Sequence, residues 1–142
     1  MAPSLSIVIR CHNEAKHIGR LLEDIGRQTV GDVEIIVVDS GSTDGTLGIV
    51  GSYPAKIVHI RHEDFTFGRS LNRGCAEARG EILVFASAHV YPVHRNWLER
   101  LVAPFEDPRV AVSYGRQVGH PISRFSETQL FECQFPVSSN LD

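Results

Sequence analysis

The sequence has few cysteines, with only Cys11, Cys75 and Cys133 among its 142 residues. An odd number without a close Cys-x-x-Cys pair argues against a disulfide framework and against a thiolate zinc site. Reduced, partly buried thiols are the interpretation that remains.

Long hydrophobic runs and an excess of positive charge are also missing. The apolar run from Leu5 to Ile9 is too short for a signal-peptide core or a membrane span, and Arg10 ends it. The formal net charge is −3 and the basic residues are scattered, which argues against a nucleic acid or an anionic membrane surface as partner. We therefore expect a cytoplasmic chain without a transmembrane segment, and its oligomeric state is left open.

Apolar runs alternate with helical patterns along most of the chain. Continuous β-branched runs predict strands at 5–10, 33–38, 56–61 and 81–86. Apolar residues at helical spacing predict helices at 18–28, at 68–79 and around 97–105, and a short helix capped by Ser42 or Thr43. The segment Val110 to Tyr114 predicts a further strand.

This order of elements predicts the fold class. Three β-α-β units in series, each with a right-handed crossover, predict an α/β fold with an open, mostly parallel sheet and helices on both faces. We expect residues 1–142 to form a single domain, because this length suffices for one buried core.

Polar residues follow each predicted strand. In an open parallel sheet, ligands bind outside the carboxyl ends of the strands. The segments at these ends are Cys11-His12-Asn13-Glu14, Asp39-Ser40, Arg61-His62-Glu63-Asp64 and Ser87-Ala88-His89.

Several common nucleotide and metal motifs are absent from these segments. No G-x-G-x-x-G follows the first strand and no G-x-x-x-x-G-K-[ST] occurs, which excludes a nicotinamide or flavin dinucleotide site and a P-loop nucleotidase. The histidines and acidic residues do not form H-E-x-x-H or an equivalent pair, so a zinc hydrolase has little support.

Asp39 is the most informative single residue. A carboxylate at the end of the second strand can accept hydrogen bonds from a ribose or a pyrimidine imide, or it can simply cap the following turn. Gly41 and Gly45 allow close backbone approach beside it, so the two loops form a nucleotide-sized crevice. We expect this crevice to bind a uridine or thymidine diphosphate.

The same residues resemble a known family. The stretch LSIVIRCHNEAKHIGRLLEDIGRQTVGDVEIIVVDSGSTDGT is similar to the start of a family 2 glycosyltransferase, with its Asn-Glu, Gln-Thr and Val-Val-Asp-x-x-Ser-x-Asp-Gly-Thr pattern. The resemblance continues through FGRSLNRGCAEARGEILVF and through VAVSYGRQ, which is similar to the branch that includes rhamnosyltransferases. It covers nearly the whole chain.

The resemblance implies the nucleotide-binding half of a glycosyltransferase A-type fold. Such an enzyme transfers a sugar, here with inversion, from a nucleotide-diphosphate sugar to a hydroxyl of a saccharide or lipid-linked acceptor. The resemblance also implies a role in polysaccharide biosynthesis. Whether the protein associates peripherally with the inner membrane is left open. By this pattern the base and ribose would be contacted by Cys11, His12, Asn13, Glu14 and Asp39. The nucleotide and diphosphate would face Arg69 and Asn72. Weaker candidates for the site are Arg61 and His62.

The chain departs from the family pattern after the fourth strand. The family's Asp-x-Asp is replaced by Ser87-Ala88-His89, with Ser87 at the first aspartate and His89 at the second. Imidazole is a competent ligand for manganese and a poor one for magnesium, and it can also donate a hydrogen bond directly to a diphosphate. Use of a divalent cation, manganese or magnesium, is therefore an open expectation, with His89 as the metal ligand and Ser87 as a nucleotide contact.

The catalytic base is a second departure. In the family a later acidic residue deprotonates the acceptor hydroxyl, but nothing in the context of Glu127 or Glu132 marks either as that base, so the catalytic residue is unassigned. We expect the N-terminal part of a longer glycosyltransferase, unable to transfer sugar alone. The alternative is a non-catalytic nucleotide-binding module.

Overall fold

The structure, a computed structural model, describes residues 4–119, 121, 129–130 and 133–134. The chain divides into two compact units, Met1–Val102 and Ala103–Asp142. Glu127 and Glu132 lie outside the described residues. Within the described part of the chain, no helix is long and apolar enough to span a membrane.

The first unit is built on a four-stranded parallel sheet in the order β3-β2-β1-β4. The strands are β1 (Leu5–Cys11), β2 (Val33–Asp39), β3 (Ala55–His59) and β4 (Ile82–Ser87). The predicted α/β fold class is confirmed. The third strand ends two residues earlier than predicted, because the chain turns into a 3-10 helix at His62–Asp64.

Helices cover both faces of this sheet, as predicted. On one face, Ile7 and Ile9 of β1 pack with Leu21 and Leu22 of α1 (Ile18–Gly26), with α2 (Thr46–Val50) and with α4 (Trp97–Val102). On the other face, Val8 belongs to a smaller cluster with β2 and β3, against which α3 (Phe67–Glu77) packs. The alternation of odd and even residues of β1 between the two clusters follows from the period of two of a β-strand.

The predicted cap of α2 is wrong. Neither Ser42 nor Thr43 caps the helix; the N-cap position is Gly45, and the carboxylate of Asp44 accepts a hydrogen bond from the backbone N–H of Thr46 at 2.9 Å. The hydroxyl of Ser42 instead accepts the backbone N–H of Asn13 at 2.9 Å. A contact with another loop thus replaces the local cap.

The second unit differs from the prediction at two elements. The predicted strand at 110–114 is wrong, because residues 110–119 form neither strand nor helix. Val112 and Tyr114 are 78% and 80% exposed. A strand needs a neighbour for its backbone hydrogen bonds, and the described residues of this unit contain no second strand. The helical pattern that runs on to Phe105 becomes a 3-10 helix at Ala103–Glu106, where Pro104 lacks the N–H of a regular α-helix.

Candidate functional site

The carboxyl ends of the four strands lie at one edge of the sheet. Cys11 pairs in register with Asp39, Asp39 pairs with His59, and Ser87 pairs with Arg10. The strand order reverses between β1 and β4, which is the position where open α/β sheets form their ligand crevice. The loops after β1, β2 and β4 therefore surround one site, as the polar strand ends predict.

The loop after β1 is fastened to the loop after β2. Asn13 has a positive φ of 52°, and its side-chain oxygen accepts the backbone N–H of Thr43 at 2.8 Å. The backbone N–H of Glu14 donates to the hydroxyl of Thr46 at 2.9 Å. The amide oxygen of Asn13 is thus committed to holding the two loops together, and a nucleotide contact by this residue stays a prediction.

Asp39 caps the turn that follows β2. It is 1% exposed, and its carboxylate accepts the backbone N–H groups of Gly41 at 3.0 Å and Ser42 at 3.2 Å. Gly41 has a φ of 86°, which glycine adopts most readily. Nδ1 of His59 lies 3.8 Å from the same carboxylate. The turn-capping alternative therefore describes the observed contacts, and the nucleotide contact of Asp39 stays a prediction.

Cys11 is the buried last residue of β1. Burial raises the pKa of its thiol to about 12, and the negative charges of Asp39, Glu14 and Asp44 act in the same direction. The thiolate is the form that attacks electrophiles and binds metals. The thiol of Cys11 is therefore protonated at neutral pH, and the charges around it are acidic.

Two histidine rings lie together beside the turn after β2. The ring centroids of His12 and His62 are 5.0 Å apart with 33° between the planes. Nδ1 of His62 lies 3.4 Å from the carbonyl oxygen of Ser40. The structure thus brings His12, from the loop after β1, together with one of the two weaker candidates.

Arg69 lies on α3 near the end of β3. Its Nη1 atom donates to the carbonyl oxygen of Asp64 at 3.0 Å and lies 3.5 Å from a carboxylate oxygen of the same residue. A groove of about 370 Å³ is lined by His59, Ile60, Arg61, Asp64, Arg69 and Arg73. Asn72 is exposed on the same helix, three residues after Arg69, and does not line this groove; its contact with a nucleotide stays a prediction.

The end of β4 brings three candidate residues together. Nδ1 of His89 lies 3.1 Å from Oε1 of Glu14, and Nε2 of His89 lies 3.5 Å from Oγ of Ser87. The imidazole is 57% exposed, whereas the side chain of Glu14 is 21% exposed. His89 is thus an accessible side chain held at the crevice by a carboxylate from the loop after β1.

The described residues do not fit a metal site formed by protein side chains alone. Among residues 4–119 and the short described segments after them, no three His, Cys, Asp or Glu side chains are grouped so that they could hold a metal ion. Glu14 and His89 supply two ligand atoms, and these already face each other.

Gln28 and Thr29 form contacts that the sequence pattern did not assign. The side-chain amide of Gln28 donates to the carbonyl oxygen of His94 and accepts the backbone N–H of Leu98, both at 3.2 Å. The backbone N–H of Thr29 donates to the carbonyl oxygen of Arg95 at 2.9 Å. The sequence signal that could have pointed to these contacts is the Gln-Thr pair of the family pattern. Gln28 and Thr29 hold the segment after β4 against the end of α1.

The same segment is fastened to the start of α1. Tyr91 hydrogen-bonds with Nδ1 of His17, and the guanidinium of Arg20 lies over its ring, 4.1 Å from the centroid. The connection that carries His89 is therefore held at both ends of one helix.

This fold and this site define a class of protein. A parallel sheet in the order β3-β2-β1-β4, polar strand ends without a glycine-rich phosphate loop and an aspartate at the end of β2 are features of nucleotide-diphospho-sugar transferases of the glycosyltransferase A type. The chain matches the family described as Glycosyl transferase family 2 over residues 6–135, and it belongs to that family. The resemblance stated from the sequence is confirmed.

Three relatives illustrate the match. The O-antigen chain rhamnosyltransferase WbaN of Salmonella anatum is 28% identical over 120 residues, covering 83% of this chain and 38% of that protein. A PGL/p-HBAD biosynthesis glycosyltransferase of Mycobacterium bovis is 37% identical over 106 residues, covering 72% of this chain and 41% of that protein. The mannosyltransferase PcManGT from Pyrobaculum calidifontis, solved with GDP-Man and Mn²⁺, gives a TM-score of 0.71 at 30% identity and covers 78% and 34% of the two chains. The chain thus spans between a third and two-fifths of the length of the curated relatives it matches.

Proposed function

We propose that this domain binds a nucleotide-diphosphate sugar at the carboxyl edge of its sheet and serves an inverting transfer of the sugar to an acceptor hydroxyl. The observation that carries the proposal is the convergence of the loop after β1, Asp39 and the Ser87–His89 segment at one crevice, in a member of Glycosyl transferase family 2. The mannosyltransferase neighbour, solved with GDP-Man, supports a nucleotide sugar as the ligand class.

The contacts suggest an orientation for this ligand. The base and ribose would lie over the loop Cys11–Glu14 and Asp39, where the His12 ring offers a flat surface beside backbone polar groups. The diphosphate would then extend toward Ser87 and His89. Uridine and thymidine diphosphates are the first ligands to test, with guanosine diphosphate as the comparison.

Electrostatics explains why basic groups matter here. Glu14, Asp39 and Asp44 all lie close enough to raise the pKa of Cys11, so a diphosphate approaches an acidic floor. The guanidinium group of Arg69 would offset that repulsion and stabilise the charge that develops on the departing diphosphate, and a cation held by His89 would act in the same direction. No described residue is assigned as the base that deprotonates the acceptor.

The remaining parts of the proposal rest on the family and on composition. A manganese or magnesium ion that takes one ligand from His89 and the others from the diphosphate is the alternative to a direct histidine contact. A saccharide or lipid-linked acceptor and a role in polysaccharide biosynthesis are supported by the O-antigen chain rhamnosyltransferase among the relatives. A cytoplasmic location is supported by the cysteine content.

Ligand mapping by NMR tests the proposal. Titration with uridine, thymidine and guanosine diphosphates and a matching nucleotide sugar should shift backbone resonances around residues 11–14, 39–42 and 87–89. A groove of about 570 Å³ at the opposite edge, lined in part by Asp32, Pro54 and Arg79, serves as the internal control. Shifts confined to that groove, or no saturable binding by any of the ligands, would show that the proposed site is wrong.

A further inference from the structure

We infer that Glu14 is a positioning residue for His89: it fixes the imidazole tautomer so that Nε2 presents a lone pair to the ligand crevice. The inference rests on the proposed function for the identity of the ligand, but the geometry of the pair stands by itself. It assigns Glu14 a task different from the base and ribose contact that the family pattern implies.

The tautomer follows from hydrogen-bond chemistry. An ionised carboxylate only accepts hydrogen bonds, so the imidazole nitrogen that lies 3.1 Å from Oε1 of Glu14 must carry the proton. In a neutral ring the other nitrogen then has no hydrogen. Nε2 lies 3.5 Å from Oγ of Ser87, which is too long for a strong hydrogen bond, so a ligand can compete for this lone pair. Carboxylates that orient metal-binding or catalytic histidines act through the same type of contact.

Glu14 is the fixed member of the pair. Its backbone N–H donates to the hydroxyl of Thr46 at 2.9 Å, and its carbonyl oxygen accepts the N–H groups of His17 and Ile18 at 2.9 Å each. Its side chain is also far less exposed than that of His89. Because the backbone of Glu14 is held from both directions and its side chain is the less exposed of the two, its carboxylate has less freedom to move than the imidazole, which would otherwise rotate in solvent.

The tautomer narrows the chemistry that His89 can offer. With a lone pair at Nε2, the imidazole can accept a hydrogen bond from a sugar hydroxyl or coordinate a cation carried by the diphosphate. It does not meet a phosphate oxygen directly, because that oxygen requires a donor. A nucleotide sugar should therefore bind more tightly than the nucleoside diphosphate alone through hydroxyl contact, or binding should respond to manganese through cation contact. Measuring the binding affinity with manganese and with a chelator distinguishes the hydroxyl contact from the cation contact.

The tautomer can be measured in the free protein, without any ligand. Imidazole ¹⁵N–¹H correlation spectra, recorded where the ring is neutral and assigned by loss of signals in His89→Ala, should show a protonated Nδ1 and an unprotonated Nε2. In Glu14→Ala the ring should lose this fixed tautomer. A wild-type His89 with its proton on Nε2 would overturn the inference, and this measurement needs no variant of Glu14 to fold.

Binding provides the second readout. Glu14→Ala should weaken nucleotide-sugar affinity by about 10-fold or more, the usual effect of removing the partner that orients a functional histidine. Glu23→Ala, on the exposed side of α1 where Glu23 pairs with Arg27, is the matched control and should bind like wild type. Unchanged affinity in Glu14→Ala, with binding intact in wild type, would overturn the role. If wild type binds no nucleotide, the proposed function fails, and the NMR result still decides whether Glu14 fixes the tautomer.

Discussion

Gly74 of α3 lies directly against Val8 of β1. A Cβ atom added at Gly74 would stand 2.3 Å from Cγ1 of Val8, closer than side chains approach. The missing side chain therefore lets α3 lie flat on the centre of the sheet. Because Arg69 is on the same helix, this approach also sets the distance between Arg69 and the end of β3.

The first prediction concerns this contact. Gly74→Ala should destabilise the fold by about 1–3 kcal/mol, the usual range for overpacking a core. Gly68→Ala on the same helix is the control, since an added Cβ there meets no atom within 4 Å. Urea unfolding measures both variants. The double variant Val8→Ala/Gly74→Ala should lose less free energy of unfolding than the two single variants lose together. Strict additivity would show that the added Cβ at residue 74 does not clash with Val8.

The fold was largely predictable because it depends on local periodicity. Ile7, Val8 and Ile9 form an uninterrupted apolar run, which is the pattern of a strand buried on both faces. The two core clusters, one on each face of the sheet, confirm this burial. The predicted cap at Ser42 failed because that hydroxyl binds the N–H of Asn13, which is 29 residues away. The predicted strand around Val112 failed because β-propensity cannot supply a pairing partner.

The positions of the candidate residues in the fold were predictable, and their contacts were not. Topology places Asp39 and His89 at the same edge, since carboxyl ends of parallel strands share one side of the sheet. The contact of Glu14 with His89 joins residues 75 positions apart, and its direction depends on side-chain rotamers that spacing does not encode. The turn-capping role of Asp39 was foreseen as an alternative, but only the geometry shows both N–H donors.

A second prediction separates the two roles of Asp39. Asp39→Ala removes the charged acceptor of the backbone N–H groups of Gly41 and Ser42, so it should cost about 1–3 kcal/mol in stability and also weaken binding of uridine or thymidine diphosphate. Gly41→Ala is the matched control: it strains the same turn at a φ of 86° but keeps the carboxylate. Titration calorimetry of both variants shows whether the loss of nucleotide affinity comes from the missing carboxylate or from strain in the turn. Equal nucleotide affinity in wild type and Asp39→Ala would mean that the crevice has been misplaced.

A third prediction follows from the raised pKa of Cys11. With a folded pKa of about 12 against an ordinary value of 9.0, the buried thiol stays neutral while the unfolded chain ionises. Its contribution to stability is therefore complete below pH 9.0 and declines as the pH rises toward 12. Iodoacetamide at mildly alkaline pH should label the exposed Cys133 before Cys11, as mass spectrometry of peptides can show. In urea the difference should vanish; equal labelling rates in the folded protein would contradict the assignment.

The last prediction concerns what His89 does where the family pattern has an aspartate. His89→Ala should weaken nucleotide-sugar binding, because it removes the ring that Glu14 holds beside Ser87. His89→Asp should bind in a manner that responds to magnesium, since carboxylate oxygen is the ligand magnesium prefers and imidazole is a poor one. Calorimetry with manganese, with magnesium and with chelator compares these variants with wild type. Manganese-dependent binding in wild type that is lost in His89→Ala identifies a metal ligand, and loss without metal dependence identifies a direct hydrogen bond. If His89→Ala binds like wild type under every condition, the imidazole is a surface side chain with no part in the site.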